Sequence, residues 1–120
     1  MTDRRAATGR LGELAAVAYL RERGYRIAAT NWRTRLGEID VVAELGGTVV
    51  FVEVRTRRAT QFGTAAESVD GRKQRRLVLM AEQYLQRHAP NAAARIDVIT
   101  VSATADPPEI EHLIGAVSAH

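Results

Sequence analysis

The chain contains no cysteine, only three prolines and a single tryptophan among its 120 residues. Without cysteine it forms no disulfide, no zinc–thiolate centre and no thiol nucleophile, so a reducing cytoplasm is the expected location. No apolar run approaches the ~20 residues that a membrane-spanning helix needs. The best candidate, Leu14–Leu20, is flanked by Glu13 and Arg21 and lacks the features of a secretory signal. No membrane partner is therefore expected.

Length and composition favour one folded domain over residues 1–120. The chain is 46% hydrophobic and 26% charged with a net charge of only +3, which argues against a disordered polyelectrolyte. Its oligomeric state stays open, a homodimer being one alternative.

Positive charge is concentrated in one segment of the chain. The segment from position 55 to position 76 contains seven basic and two acidic residues, a local charge of +5. The rest of the chain carries a net charge of −2. Such a patch is typical of proteins that bind polyanions, although a solvated charged face is the alternative. The seven residues are Arg55, Arg57, Arg58, Arg72, Lys73, Arg75 and Arg76.

Hydrophobic periodicity predicts a mixed α/β domain with the order α-β-β-β-α-β and a helix on each side of a mixed sheet. Thr8 is expected to cap the first helix and Asp70 the second, with a polar loop over 59–68. A final segment, Glu111–Val117, is either a short helix or a strand. The predicted helices span 9–23 and 71–88, and the predicted strands are Tyr25–Thr30, Gly37–Leu45, Thr48–Arg57 and Arg95–Val101.

The dipeptide Gly46-Gly47 predicts a two-residue hairpin turn, because both central residues of a type I′ turn need positive φ. That turn would place Asp40 opposite Glu53 and Glu38 opposite Arg55. Directly opposed Cβ atoms lie about 4.5–5.5 Å apart, so two carboxylates would share one sheet face.

Two close carboxylates oppose each other's ionisation, and Glu53 lies in an apolar run where a charge is costly to bury. A metal site explains such a pair, because Mg²⁺ or Mn²⁺ is held by one or two carboxylates together with water and phosphate. The alternative places Asp40 at a strand edge and pairs Glu53 with Arg33, Arg35 or Arg55.

Two further residues could act at this site. Arg55 points to the same face as Glu53 and could meet phosphate, or it could simply pair with Glu38. Glu13, early in an apolar helix, is either a site residue or a charge that complements the helix dipole.

The start of the second helix carries Arg72, Lys73 and Gln74. Cations at a helix N-terminus are unfavourable without an anion, which favours a phosphate contact over ordinary surface charge. Trp32 with Arg33 could stack on a base, the alternative being a partly buried tryptophan at a strand end. The three histidines show no metal-ligand spacing.

Eight short motifs follow one another along the chain: Gly12-Glu13, Tyr19-Leu20, Gly24-Tyr25, Asn31-Trp32-Arg33, Gly37-Glu-Ile-Asp40, Phe51-Val-Glu-Val-Arg55, Lys73-Gln74 and Arg95-Ile-Asp-Val-Ile99. Together they resemble the bacterial YraN family of small proteins, over about residues 9–117. That family is in turn similar to the restriction-endonuclease-like PD-(D/E)xK nucleases, particularly the archaeal Holliday junction resolvases.

The resemblance implies a restriction-endonuclease-like core with Asp40 and Glu53 as the two motif carboxylates and metal ligands. Glu13 matches the first-helix glutamate of the resolvases. Arg55 departs from the family pattern, because it stands where the nuclease motif has lysine and can supply only the electrostatic part of that role. Lys73 could supply the missing amine from the second helix.

The leading hypothesis is thus a magnesium- or manganese-dependent endonuclease acting on branched or structured DNA. The second is a non-catalytic nucleic-acid-binding protein that keeps the fold, and the third is an adaptor for an acidic protein. In the first, Glu13, Asp40, Glu53, Arg55 and Lys73 are catalytic. The residues expected to grip nucleic acid are Arg57, Arg58, Arg72, Gln74, Arg75 and Arg76.

Overall fold

The computed structural model describes residues 4–57, 70–102 and 105–117, which form a five-stranded sheet with a helix on each face. The strands follow chain order across the sheet, and only the third and fourth are parallel, joined by the second helix. The mixed α/β class is confirmed, and the segment left open at the C-terminus is a strand. The elements are α1 (Arg4–Glu22), β1 (Arg26–Thr34), β2 (Gly37–Leu45), β3 (Thr48–Arg57), α2 (Gly71–His88), β4 (Ala93–Ser102) and β5 (Glu109–Val117).

Each helix covers its own apolar core. Helix α2 buries one apolar stripe, Leu77, Met80, Ala81 and Tyr84, against Phe51 and its neighbours on one sheet face. On the other face, the apolar middle of α1 packs on a second core of aliphatic side chains from β2, β3 and β4. Neither helix is long and apolar enough to span a membrane, over the residues that the structure describes.

Helix α1 begins at Arg4, upstream of the predicted cap Thr8, so that prediction was wrong. The alanine and arginine residues of this stretch are good helix formers, which explains the longer helix. Gly12 brings α1 against β3, because a Cβ atom at this position would overlap the Thr56 Oγ1 atom. The close approach determines where the next residue, Glu13, meets the sheet.

Near Asn31, the side chains of β1 and β2 exchange the sheet faces to which they point. Ile39 and Val42 lie in the core under α2, whereas Val41 lies in the core under α1, so strict alternation fails at Asp40. Asn31 adopts φ +50°, a left-handed conformation that asparagine tolerates better than most residues. This local twist also lets β1 continue to Thr34, four residues beyond the predicted end.

The contact of Gly12 with Thr56 gives a prediction with an internal control. We expect Gly12→Ala to lower the free energy of unfolding by ~1–3 kcal/mol, because the added methyl group overpacks the helix–sheet contact. Gly9→Ala lies in the same helix with nothing within 4 Å, so it should be neutral or stabilising. Urea unfolding of both variants checks this; equal effects would show that the close approach is no constraint.

Candidate metal centre

Three carboxylates meet where β2 begins beneath α1. Single oxygens of Glu13, Glu38 and Asp40 lie within 4.8 Å of one another, an arrangement that could hold a metal ion. The Asn31 amide connects two of them, donating to Glu13 Oε1 and Oε2 at 3.2 Å each and to Glu38 Oε1 at 2.8 Å. We call these three carboxylates the acidic cluster.

Asp40 is the most perturbed member of the acidic cluster. Its Oδ2 accepts a 2.8 Å hydrogen bond from the backbone N–H of Val54, which favours the charged form. Burial nevertheless raises the pKa of Asp40 to about 8, assisted by the negative charges of Glu53 and Glu13 and opposed by that hydrogen bond and by Lys73. A divalent cation beside Asp40 would relieve this repulsion.

Glu53 lies at 3% exposure in the apolar run of β3, next to the acidic cluster but outside it. Its Oε1 is 3.1 Å from Lys73 Nζ and 3.6 Å from Arg55 Nε. Its Oε2 and the Arg55 Nε are buried without a hydrogen-bond partner among the described residues. A buried carboxylate oxygen left unsatisfied is costly, and it leaves one lone-pair site open to a cation or a polar ligand.

The start of α2 delivers Lys73 to this carboxylate. Asp70 caps the helix, and its Oδ1 accepts from the Lys73 backbone N–H at 2.9 Å. That hydrogen bond lowers the pKa of Asp70, because it stabilises the carboxylate form. The lysine side chain is only 28% exposed, with its ammonium turned to Glu53 rather than to solvent.

The predicted hairpin register is correct from Leu45–Thr48 to Val41–Val52, but the ladder stops there. Asp40 is not paired with Glu53 through the backbone, since its side chain takes the Val54 N–H instead. The predicted pairing of Glu38 with Arg55 was also wrong. Glu38 instead pairs with Arg33, whose Nε lies 3.3 Å from its Oε2, because the β1–β2 register places these two residues opposite each other.

The predicted nucleic-acid-binding residues are divided between two elements. Arg72, Arg75 and Arg76 are exposed on the first turns of α2, Gln74 is half-buried there, and Arg57 ends β3. Arg58 lies outside the described residues. Of the seven-residue patch, Arg55 and Lys73 turn inward to Glu53.

Sequence reasoning did not assign Glu38 or Asn31 to the site. Both stand inside the YraN-like motifs, yet their roles depend on a twist that no short-range pattern predicts. A second polar group, on β4, has partners that are distant from it in the sequence. Asp97 is fully buried and accepts from His112 Nε2 at 2.8 Å, Gly115 N at 2.9 Å and Arg95 Nε at 3.1 Å. Burial alone would raise the pKa of Asp97, but these hydrogen bonds outweigh it and hold the pKa below its usual value.

Fold and site together define an α/β protein with an acidic cluster at one end of a mixed sheet. The family model described as "Uncharacterised protein family UPF0102" matches residues 12–101. A UPF0102 protein of Moorella thermoacetica is 50% identical over 102 residues, 84% of this chain and 85% of the relative. Another, from Roseiflexus castenholzii, is 45% identical over 121 residues, 98% of each chain. A third, from Mycolicibacterium vanbaalenii, is 46% identical over 116 residues, 95% of this chain and 96% of the relative. The chain belongs to the UPF0102 (YraN) family, as its motifs indicate.

The raised pKa of Asp40 predicts a pH-dependent stability when divalent cations are chelated. Between about pH 4 and pH 8 the folded protein keeps a proton that the unfolded chain has lost, so stability falls as pH rises through this window. Asp40→Asn removes that slope while keeping an oxygen for the Val54 N–H. The variant should therefore gain stability over the wild type between about pH 5 and pH 8, by at most ~1.4 kcal/mol per pH unit. Urea unfolding with chelator at pH 5 and at pH 8 measures the gain. The prediction is contradicted if the free energy of unfolding differs between variant and wild type by the same amount at both pH values.

Proposed function

We propose that the chain is a metal-dependent endonuclease with a restriction-endonuclease-like core, acting on branched or otherwise structured DNA. One observation carries the proposal: the buried Glu53, with an unsatisfied Oε2, lies against Lys73 and beside the acidic cluster. An acid pair with an adjacent amine is the constellation that the motif resemblance assigns to these positions.

The donor set fits a hard divalent cation. Carboxylate oxygens are the ligands that Mg²⁺ and Mn²⁺ prefer, and the open Oε2 offers one of them. Asp40 and Glu53 would hold the ion, with Glu13 completing the shell through water. Glu38 would be a further ligand, because one of its oxygens lies within 4.8 Å of oxygens of Glu13 and Asp40. Bound there, the ion would polarise a phosphate and lower the pKa of an attacking water.

The remaining groups act on charge and position. Lys73 and Arg55 would stabilise the negative charge that develops on the phosphate, from the side of Glu53. Asn31 orients Glu13 and Glu38 through its amide hydrogens. The exposed arginines at the start of α2 would hold backbone phosphates, which fixes the position of the nucleic acid without reading its sequence.

Cleavage of four-way junction, flap, single-stranded and duplex DNA with Mg²⁺ or Mn²⁺ tests the proposal. We expect Asp40→Ala and Glu53→Gln to abolish cleavage, because each removes a carboxylate that holds the ion. Glu53→Gln should bind DNA as well as the wild type or more tightly, since it removes a charge that repels phosphate. Glu44→Gln is the matched control, because Glu44 lies on β2 away from the acidic cluster and pairs with Arg26. Absence of any cleavage, with no divalent binding that depends on Asp40, would overturn the proposal.

The second candidate is a non-catalytic nucleic-acid-binding protein with the same fold. It is favoured by the pairing of Glu53 with two cations, which balances the carboxylate without a metal, and by arginine at position 55. DNA binding without cleavage or divalent binding would select this candidate.

Both candidates predict salt-sensitive binding through α2. Replacing Arg72, Arg75 or Arg76 with glutamine should reduce the log–log salt slope of duplex binding by roughly 0.9 for each phosphate that the side chain neutralises in the wild type. Arg21→Gln, an exposed arginine in the last turn of α1, provides a control of equal charge change. Fluorescence anisotropy across a salt series measures the slope. Slopes unaffected by the α2 variants would favour the protein adaptor.

A further inference from the structure

A basic pocket of about 450 Å³ opens between β1 and the distal half of α2. It lies on the sheet face that α2 covers, whereas Asn31 and Glu13 meet on the α1 side. Three of its lining residues are arginines, and none is acidic. We call it the Trp32 pocket; its lining residues are Trp32, Arg33, Thr34, Arg35, Gln83 and Arg87.

The three guanidinium groups of this pocket have little internal compensation. Arg33 reaches Glu38 at 3.3 Å but is 82% exposed, and Arg35 and Arg87 make no ion pair within the described stretches of the chain. The dipole of α2 stabilises the positive charge of Arg87, which lies in the last turn of the helix. No helix dipole stabilises Arg33 on β1 or Arg35 in the turn that follows. Like charges gathered around one pocket favour an anionic ligand, and the planar fork of arginine suits phosphate.

The tryptophan adds an aromatic side chain to the lining of this pocket. Trp32 is half-buried, and its ring packs edge-to-face on Tyr84 at 5.3 Å, which packs in the same way on Phe51 at 5.5 Å. The indole is thereby held by the core while part of it lines the pocket. A phosphate alone needs no aromatic surface, whereas an unstacked nucleobase with its phosphates uses both features.

We propose that the Trp32 pocket binds an unpaired nucleotide of a single-stranded nucleic-acid segment, with the base on Trp32 and the phosphates on Arg33, Arg35 and Arg87. The inference rests on the proposed nucleic-acid function and names the substrate feature that it recognises. Arg33 links the two sites, because it lines the pocket and also reaches Glu38 of the acidic cluster.

The only tryptophan of the chain reports directly on this pocket. In chelator, a short oligothymidylate should quench Trp32 emission saturably, and a blunt duplex of equal length should bind this pocket roughly tenfold more weakly. Arg35→Gln and Arg87→Gln should weaken the quenching titration, whereas Arg21→Gln should not. Trp32→Phe should weaken binding of a labelled oligothymidylate in anisotropy, with circular dichroism confirming that each variant is folded.

The possible outcomes separate this inference from the endonuclease proposal. Quenching that persists in Glu53→Gln, whether or not the wild type cleaves DNA, supports the pocket. The inference is overturned if Trp32 emission is not quenched, or if quenching is unchanged in Arg35→Gln and Arg87→Gln, even when cleavage is observed. Equal affinity for thymidine monophosphate and for the oligomer would also overturn it, because the pocket would then serve a free nucleotide.

Discussion

The site depends on one electrostatic constraint: the carboxyl groups of Asp40 and Glu53 lie close together in a largely buried part of the sheet. Burial, and secondly the charge of Glu53, raise the pKa of Asp40 to about 8, so each nearby hydrogen-bond donor or cation affects its ionisation. The Val54 N–H and the Lys73 ammonium are the two groups that oppose this shift. One comes from the end of the β2–β3 ladder and the other from the capped start of α2. The fold can thus be understood as a frame that brings a strand end and a helix start to two carboxylates.

Much of this frame could be predicted from local chemistry. Gly46 and Gly47 both adopt positive φ, as a two-residue hairpin turn requires. The five residue pairs of the β2–β3 ladder could therefore be predicted from the position of the turn. The apolar stripe of α2 is equally predictable, because the spacing of its apolar residues matches the helical repeat. Local signals also identified Asp40, Glu53 and Lys73 as chemically unusual. What they did not reveal is the exchange of sheet faces near Asn31, a residue in the left-handed conformation, and the cluster that Glu38 and Asp40 form there with Glu13.

Long-range partners were the other unpredictable part. Asp97 follows Arg95 on the same strand face, and that pairing is visible in the sequence. Its contacts with His112 and Gly115 join β4 to β5, and His112 Nδ1 lies 3.1 Å from the Tyr19 hydroxyl of α1. The buried charge is therefore compensated directly by groups of β4 and β5, and α1 is connected to it only through His112. No spacing rule connects these segments, since the helix and the last strand are far apart along the sequence.

The same aspartate also affects how the sheet ends. Three residues of β5, at positions 114–116, lie opposite Asp97, because Ile96 faces Val117 while Val98 faces Leu113. At the opposite border, β1 carries one extra residue between Ile27 and Ala29. Both outer strands are therefore bulged, and a bulge interrupts the regular row of backbone donors and acceptors that another chain would need for pairing. The fold thus protects an open sheet against edge-to-edge aggregation without closing it into a barrel.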